Sequence, residues 1–340
     1  MSSLVHLPSG DTLDYWWEEM RGRAGRKRFL LTKVLELIAY KASKTGQVKA
    51  RHPKTRSILE LQPKVLRNSV TSQSSAVVVI PAKCSTEFQS DLLRRAVGKI
   101  VDQAATVIAV NDGSPLWPQL PSAVQVLNSP TSKGPAVARN QGLDAALDCQ
   151  ADVILFTDSD CIPESNWVSE AVSGFVENPY VHGLSGRTDS SNSTWFDKYH
   201  EINGTLNGRC FKRTSILLYG PTCNFAISRP VAENVRFDES FPDAACEDID
   251  FCFRLMQQGF RTIHRRSMVV RHDYQYEHGR FVTNAARFVR QFRKYAKAEA
   301  VLLAKFPDCF PYFGQTEEIG RFKIPGNNHR ENQSALRSAL

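Results

Sequence analysis

Two aspartates, Asp158 and Asp160, end the apolar run Val153-Ile154-Leu155-Phe156-Thr157 with a single residue between them. In an extended chain alternate side chains share a face, so both carboxylates project to the same side. Two negative charges that close repel each other unless a cation or a shared proton relieves them. The spacing therefore suggests a divalent metal site. Carboxylates and a neutral imidazole together suit Mn2+ or Mg2+. His272, directly after the apolar triplet Met268-Val269-Val270, is the candidate third ligand beside Asp158 and Asp160.

A second carboxylate cluster, Cys246-Glu247-Asp248-Ile249-Asp250-Phe251, opens a stretch with helical periodicity. At ~100° per residue, Ile249, Phe251, Cys252, Phe253, Leu255 and Met256 form one apolar arc. Glu247, Asp250, Arg254, Gln257 and Gln258 take the opposite face and read as peripheral, with Asp250 and Arg254 at ion-pair spacing. Asp248 falls inside the apolar arc. It either caps the helix or faces a cleft, where partial burial would tune it for general-base work.

Two further segments could meet an anion or a nucleoside. Pro81 and the turn Asn111-Asp112-Gly113-Ser114 each follow a strand-like run, and Asp112 there could accept hydrogen bonds from a base or ribose. The same tetrapeptide is ordinary turn chemistry. Lys133-Gly134-Pro135 through Arg139-Asn140 opens a helix, with proline suited to its first position. Lys133 and Arg139 add charge to a helix start that already attracts phosphate, or they are simply solvated. Neither G-x-G-x-x-G after the first strand nor G-x-x-x-x-G-K-[ST] occurs, which argues against a dinucleotide oxidoreductase and a P-loop ATPase.

These residues need a scaffold that gathers strand ends. Strands are expected at 76–80, 106–110, 124–127 and 153–157, with helices near 90–101 and 135–147 between them. That alternation implies a parallel, doubly wound α/β sheet, whose ligands bind at the carboxyl ends of the strands. Beyond Pro163 the pattern loosens, and 185–194 reads as a polar, mobile loop. A strand at 222–228, a helix at 248–258, a strand at 268–271 and a basic amphipathic helix at 280–305 follow. Residues 1–70 read as a basic, mostly helical extension containing the charge run Arg21–Arg28, and 71–75 as a linker. The tail, 313–340, reads as poorly ordered.

The chain has 340 residues and a formal charge of +8, which favours anionic partners without choosing among them. Its eight cysteines are scattered without CxxC pairs, as expected of reduced thiols in a cytoplasmic protein. No apolar stretch is long enough to span a bilayer, and no secretory signal is evident at the N-terminus.

In order, Val77–Ala82, Val110–Ser114, Gly134–Asn140 and Asp158-Ser159-Asp160 resemble the nucleotide-binding half of the family 2 glycosyltransferases, which have the GT-A fold and a DxD motif. Cys223–Ile227, Phe237-Asp238-Glu239 and Glu247–Asp250 resemble that family's acceptor-side half, with its "ED" pair before a helix. The resemblance spans 76–275, divided into a nucleotide-sugar half (76–163) and an acceptor half (164–275). Residues 276–312 form a basic helical segment outside it. It implies a Rossmann-like, mostly parallel sheet and a metal-dependent hexosyltransferase-type enzyme using a nucleotide sugar, with UDP favoured and inversion expected. By position, Pro81, Asp112, Lys133, Arg139, Asn140 and Asp158 would hold the donor, and Asp160, Asp158 and His272 the Mn2+ or Mg2+. Asp248 would be the catalytic base, with Asn224 and Glu247 on the acceptor side. The sequence departs from the family's usual form at Ala82–Gln89, and at Ala244-Ala245-Cys246, where glycines are usual. The alternatives are a sugar-nucleotide nucleotidyltransferase, which lacks its usual glycine-rich basic loop here, and a non-catalytic GT-A-like protein. Whether the chain is the enzyme or such a binding protein, Arg21–Arg28 and Arg287, Arg290, Arg293, Lys294 and Lys297 could dock it on anionic lipid, peripherally at the inner face of the membrane. No pattern of stacking aromatics points to nucleic acid.

Overall fold

The computed structural model describes residues 66–306 except 105 and 242, together with 31, 32, 34, 35, 38, 39, 312, 313 and 315–319. The charge run Arg21–Arg28, most of the N-terminal extension and nearly all of the tail lie outside the described residues.

The first half alternates as its hydrophobic pattern requires: β1 (Ala76–Ala82), α1 (Glu87–Ile100), β2 (Thr106–Asp112), β3 (Val124–Ser129), α2 (Pro135–Asp148) and β4 (Val153–Thr157). Every residue of β1 and β4 is buried, the signature of strands covered on both faces. The second half adds β5 (Cys161–Pro163), α3 (Trp167–Glu177), β6 (Gly183–Ser190), α4 (Trp195–Ile202), β7 (Arg209–Phe211), β8 (Leu217–Tyr219) and β9 (Asn224–Ser228). It closes with α5 (Arg229–Asn234), α6 (Glu247–Gln257), β10 (Thr262–His272), α7 (Phe281–Lys305) and β11 (Thr316–Glu318).

Eight strands form one sheet in the order β3-β2-β1-β4-β9-β6-β10-β5. β3, β2, β1 and β4 are parallel, while β9 runs antiparallel to both β4 and β6. The architecture is thus a mixed, mostly parallel α/β sheet, the kind of sheet the resemblance implies. One face packs Leu93, Val97 and Ile100 of α1 and Trp167, Ala171 and Phe175 of α3. The opposite face packs Leu143 of α2 and Phe251 and Leu255 of α6. Gly142 lets α2 lie close on β1, since a Cβ there would meet Val79 Cγ1 at 2.2 Å.

The polar stretch 185–194, expected to be a loop, is largely strand β6 in the middle of the sheet. Its polar groups find internal partners: Thr188 N–H donates to Asn207 Oδ1 at 2.7 Å, and Asn207 Nδ2 donates back to Thr188 O at 3.0 Å. Hydrophobic periodicity cannot see a strand that is buried by paired polar groups. The C-terminal tail likewise contributes β11, which pairs antiparallel with β7 while Ile319 is buried against Cys210 and Leu217.

Asn224 ties three elements together. Its Nδ2 donates to Arg187 O at 2.9 Å and Met268 O at 3.0 Å, and its Oδ1 accepts from Trp167 Nε1 at 2.8 Å. Asn224→Ala would strand these fully buried groups, so urea unfolding should show a loss of about 3 kcal/mol. A loss below about 1 kcal/mol would make the knot dispensable.

Candidate active site

The carboxyl ends of β1, β2 and β4 open onto a cleft of about 510 Å³ that Pro81, Asp112, Asp158, Asp160 and His272 line. A long-range pairing builds the end of the cleft that carries the candidate metal ligands. Directly after Asp160 the chain enters β5, which runs antiparallel to β10 and sets Cys161 opposite His272. Asp273 N–H donates to Asp160 O at 2.9 Å and locks that register. His272 Nε2 then lies 3.4 Å from Asp160 Oδ1. Asp160, Cys161 and His272 form the group of close metal-competent atoms among the described residues, and Asp158 is not part of it. Burial pushes the Cys161 thiol well above its ordinary pKa, so it stays protonated and is a poor ligand for a hard cation. Burial also raises Asp160, with His272 pulling it back and Asp158 adding to the rise. His272 Nδ1 is buried without a hydrogen-bond partner among the described residues. A carboxylate and an imidazole facing a polar cleft fit Mn2+ or Mg2+, which keep several positions for water and phosphate oxygens.

Asp112 ends β2 and is only 7% exposed. Its Oδ1 accepts from Lys133 N–H at 2.6 Å, and its Oδ2 accepts from Ser132 Oγ at 2.7 Å and Gly134 N–H at 3.1 Å. It therefore shapes the turn leading into α2. A carboxylate offers about four acceptor sites, so it keeps capacity for a ligand. Gly134 holds φ 97 and Pro135 takes the first helical position, as its sequence suggests. The Lys133 side chain is exposed and does not line the cleft; Lys83, after β1, does.

Arg139 is not available to a phosphate in this arrangement. It is 2% exposed and spans two carboxylates, donating from Nη1 to Glu247 Oε1 at 2.6 Å and from Nη2 to Asp158 Oδ1 at 3.0 Å. Burial alone would lower its pKa, but the charges of Asp158 and Glu247 overcome that and hold the guanidinium charged. Its guanidinium carbon also lies over the Phe237 ring, 5.6 Å from the centroid. Glu247, read as peripheral from the helical wheel, is buried. So is Asp250, which accepts from Arg254 Nε at 2.8 Å and is also bonded by Lys305. The Asp250–Arg254 pair itself forms as its spacing suggests. The wheel failed because α7 and α2 bring cations to that face of α6 from elsewhere in the chain.

Asp248 faces a smaller pocket of about 90 Å³ that shares Arg139, Asp158 and Tyr295 with the main cleft. The turn before it is set by Cys246, which takes the left-handed conformation at φ 64. That conformation favours glycine, which is what the family usually places here. Among the described residues, Asp248 Oδ1 accepts only from its neighbour Ile249 N–H, at 2.8 Å. Burial first, and then the charge of Glu247, raise its pKa to about 7, with Arg139 opposing. A carboxylate poised near neutral pH beside a cleft is suited to accept a proton.

Asn140 and Asn224 are not brought to the cleft. Asn140 Nδ2 donates to Phe237 O at 3.0 Å and Glu239 Oε1 at 2.9 Å, fastening α2 to the 237–239 loop. Sequence reasoning missed further residues that line the cleft: Tyr274, and on α7 Arg287, Gln291, Lys294 and Tyr295. A signal existed, because these α7 residues recur at i, i+4, i+7 and i+8. The basic set taken as a membrane face is thus divided, with Arg287 and Lys294 turned to the cleft. Among the described residues no helix is long and apolar enough to cross a membrane.

Two pre-mycofactocin glycosyltransferases of Mycobacterium tuberculosis (strains CDC 1551 / Oshkosh and ATCC 25618 / H37Rv) are each 28% identical over 252 residues. The aligned region is 70% of this chain and 49% of theirs, so the chain spans about half the length of these curated relatives. Among solved structures, the mannosyltransferase PcManGT from Pyrobaculum calidifontis, in complex with GDP-Man and Mn2+, aligns at TM-score 0.43 and 13% identity, over 85% of this chain and 83% of that one. TarS 1-349 of S. aureus, in complex with UDP-GlcNAc, aligns at TM-score 0.44 and 13% identity, over 64% and 65%. Residues 77–236 match the family model described as glycosyl transferase family 2. They hold β1 to β4, Asp112, Arg139, Asp158 and Asp160 in the expected order, so this part of the chain is similar to the family 2 glycosyltransferases.

Proposed function

We propose that this protein transfers a sugar from a nucleoside diphosphate sugar, UDP-linked by preference, to an acceptor hydroxyl with inversion at the anomeric carbon. One observation carries the reading. A carboxylate–imidazole pair able to hold a divalent metal lines the cleft at the strand ends, and a carboxylate with its pKa raised to about 7 lines a smaller pocket that shares Arg139, Asp158 and Tyr295 with that cleft. Pro81, Asp112 and the Gly134 turn would seat the nucleoside. Asp160 and His272 would hold Mn2+ or Mg2+, which when bound supplies charge stabilisation to the departing diphosphate. Asp158, held by Arg139, borders both the cleft and the pocket and would orient the ribose or the sugar. Asp248 Oδ would take the acceptor hydroxyl's proton as that oxygen attacks the anomeric carbon and the glycosidic C–O bond to the diphosphate breaks. A single base suffices for such a one-step displacement, whereas glycosidases use two carboxylates.

A calorimetric screen of UDP-, GDP- and dTDP-sugars with Mn2+ or Mg2+ tests this reading. We expect binding that EDTA abolishes. Asp160→Ala should weaken metal-dependent nucleotide binding at least tenfold; unchanged binding in that variant would refute the metal assignment.

A further inference from the structure

Part of the cleft lining comes from α7, beyond the segment matched to the family model. Burial of Phe288, Phe292 and Ala296 fixes the helix's rotation. Arg287, Gln291, Lys294 and Tyr295 then line the cleft together. Arg287 and Lys294 stand two turns apart, about 10 Å along the axis.

Their present partners are weak. Arg287 Nη1 donates to the neutral Gln275 Oε1 at 3.0 Å. Lys294 Nζ lies 3.5 Å from Asp243, whose side chain is 56% exposed. Arg139, by contrast, is buried between two carboxylates, and Lys305 bonds to both Asp238 and Asp250. Arg287 and Lys294 are therefore the cleft-lining α7 cations that an incoming anion could recruit without breaking a buried ion pair.

On the function proposed above the donor's diphosphate sits with Asp160 and His272, which come from the β4–β5 turn and β10 and not from α7. Asp243, the partner of Lys294, directly precedes Ala244, and Ala244 and Tyr295 line both the cleft and the pocket of Asp248. An anion held on α7 thus lies beside the route by which a hydroxyl reaches the base.

Resting on the function proposed above, we propose that Arg287 and Lys294 form an oxyanion subsite selecting an acceptor that bears a phosphate or carboxylate. The charged group docks on α7, and the acceptor hydroxyl is presented to Asp248. The Arg287 fork can grip two oxygens while Lys294 acts as a point charge.

The test uses the full chain saturated with Mn2+ and UDP, or GDP if the screen selects it, so that the diphosphate position is filled. Glucose, glucose 6-phosphate and gluconate are titrated calorimetrically, and vesicles of phosphatidic acid or phosphatidylcholine by co-sedimentation. We expect an anionic probe to bind at least tenfold tighter than its neutral counterpart. Arg287→Gln and Lys294→Gln should each erode that preference at least tenfold, with nucleotide–metal affinity and Tm unchanged. Preference for a soluble anion identifies a small-molecule acceptor; preference confined to phosphatidic acid identifies a lipid headgroup. The subsite is refuted if neutral and anionic probes bind alike, if none binds, or if the variants lose nucleotide affinity, which would assign the cations to the donor. If the wild-type chain binds no nucleotide with metal, it is the proposed function that fails.

Discussion

Asp248→Asn should lower turnover by about 10³-fold, the scale of a lost general base, while nucleotide–metal binding stays within twofold of wild type. Nucleotide release from the donor sugar measures the first and calorimetry the second. The asparagine keeps the shape and the Ile249 contact but cannot take a proton. The wild-type pH profile should carry the matching signature. Because the Asp248 pKa is raised to about 7, the competent carboxylate is a minority below that pH, and kcat/KM should fall tenfold per unit on the acid side. The variant's residual rate should lack this limb. Stability moves the other way. A carboxyl whose folded-state pKa exceeds its unfolded value binds more protons when folded, so its contribution falls as pH rises from about 4 to about 7. Asp248→Asn should therefore be no less stable than wild type at pH 8. A variant that keeps its turnover, or that unfolds more easily at pH 8, would make Asp248 a helix-start residue and no more.

The strand-end half of this design is legible in the sequence because each feature is local. The buried runs of β1 and β4, the Asp158/Asp160 spacing and the Gly134-Pro135 helix start need only neighbouring residues to be read. The rest depends on pairings across long separations. Nothing in the chain near 160 says that β5 will set Cys161 against His272, more than a hundred residues away. Nor does the helical wheel of α6 foresee that Glu247 will be buried against Arg139 of α2. Asn140 and Asn224 show the same limit from the other side. As residue types they suit ligand contact, but their amides are consumed by distant backbone carbonyls that no pattern reveals.

Arg139 offers the sharpest contrast between the two readings. As a phosphate ligand near a helix start, its loss would weaken donor binding and leave the fold alone. As a buried bridge it predicts something different: Arg139→Met should cost about 3–5 kcal/mol of stability, because Glu247 and Asp158 lose their shared cation. For a domain of this size that is roughly a 10 °C fall in Tm. Its second consequence reaches Asp248, the proposed base. Arg139 is the cation that restrains the rise of the Asp248 pKa, so in any folded fraction the acid limb of the pH profile should move to higher pH. Arg139→Lys keeps the charge but cannot fork to both carboxylates, and should fall between wild type and methionine in both measurements. The double variant Arg139→Met/Glu247→Gln decides the matter. Removing both members of a buried pair spares the protein an uncompensated charge, so it should regain more than half of the Tm that Arg139→Met loses. If the single variant melts like wild type and only donor affinity falls, Arg139 is a phosphate ligand. Recovery in the double variant would make it the strut that holds the donor-side carboxylate and the helix of the base in one electrostatic unit.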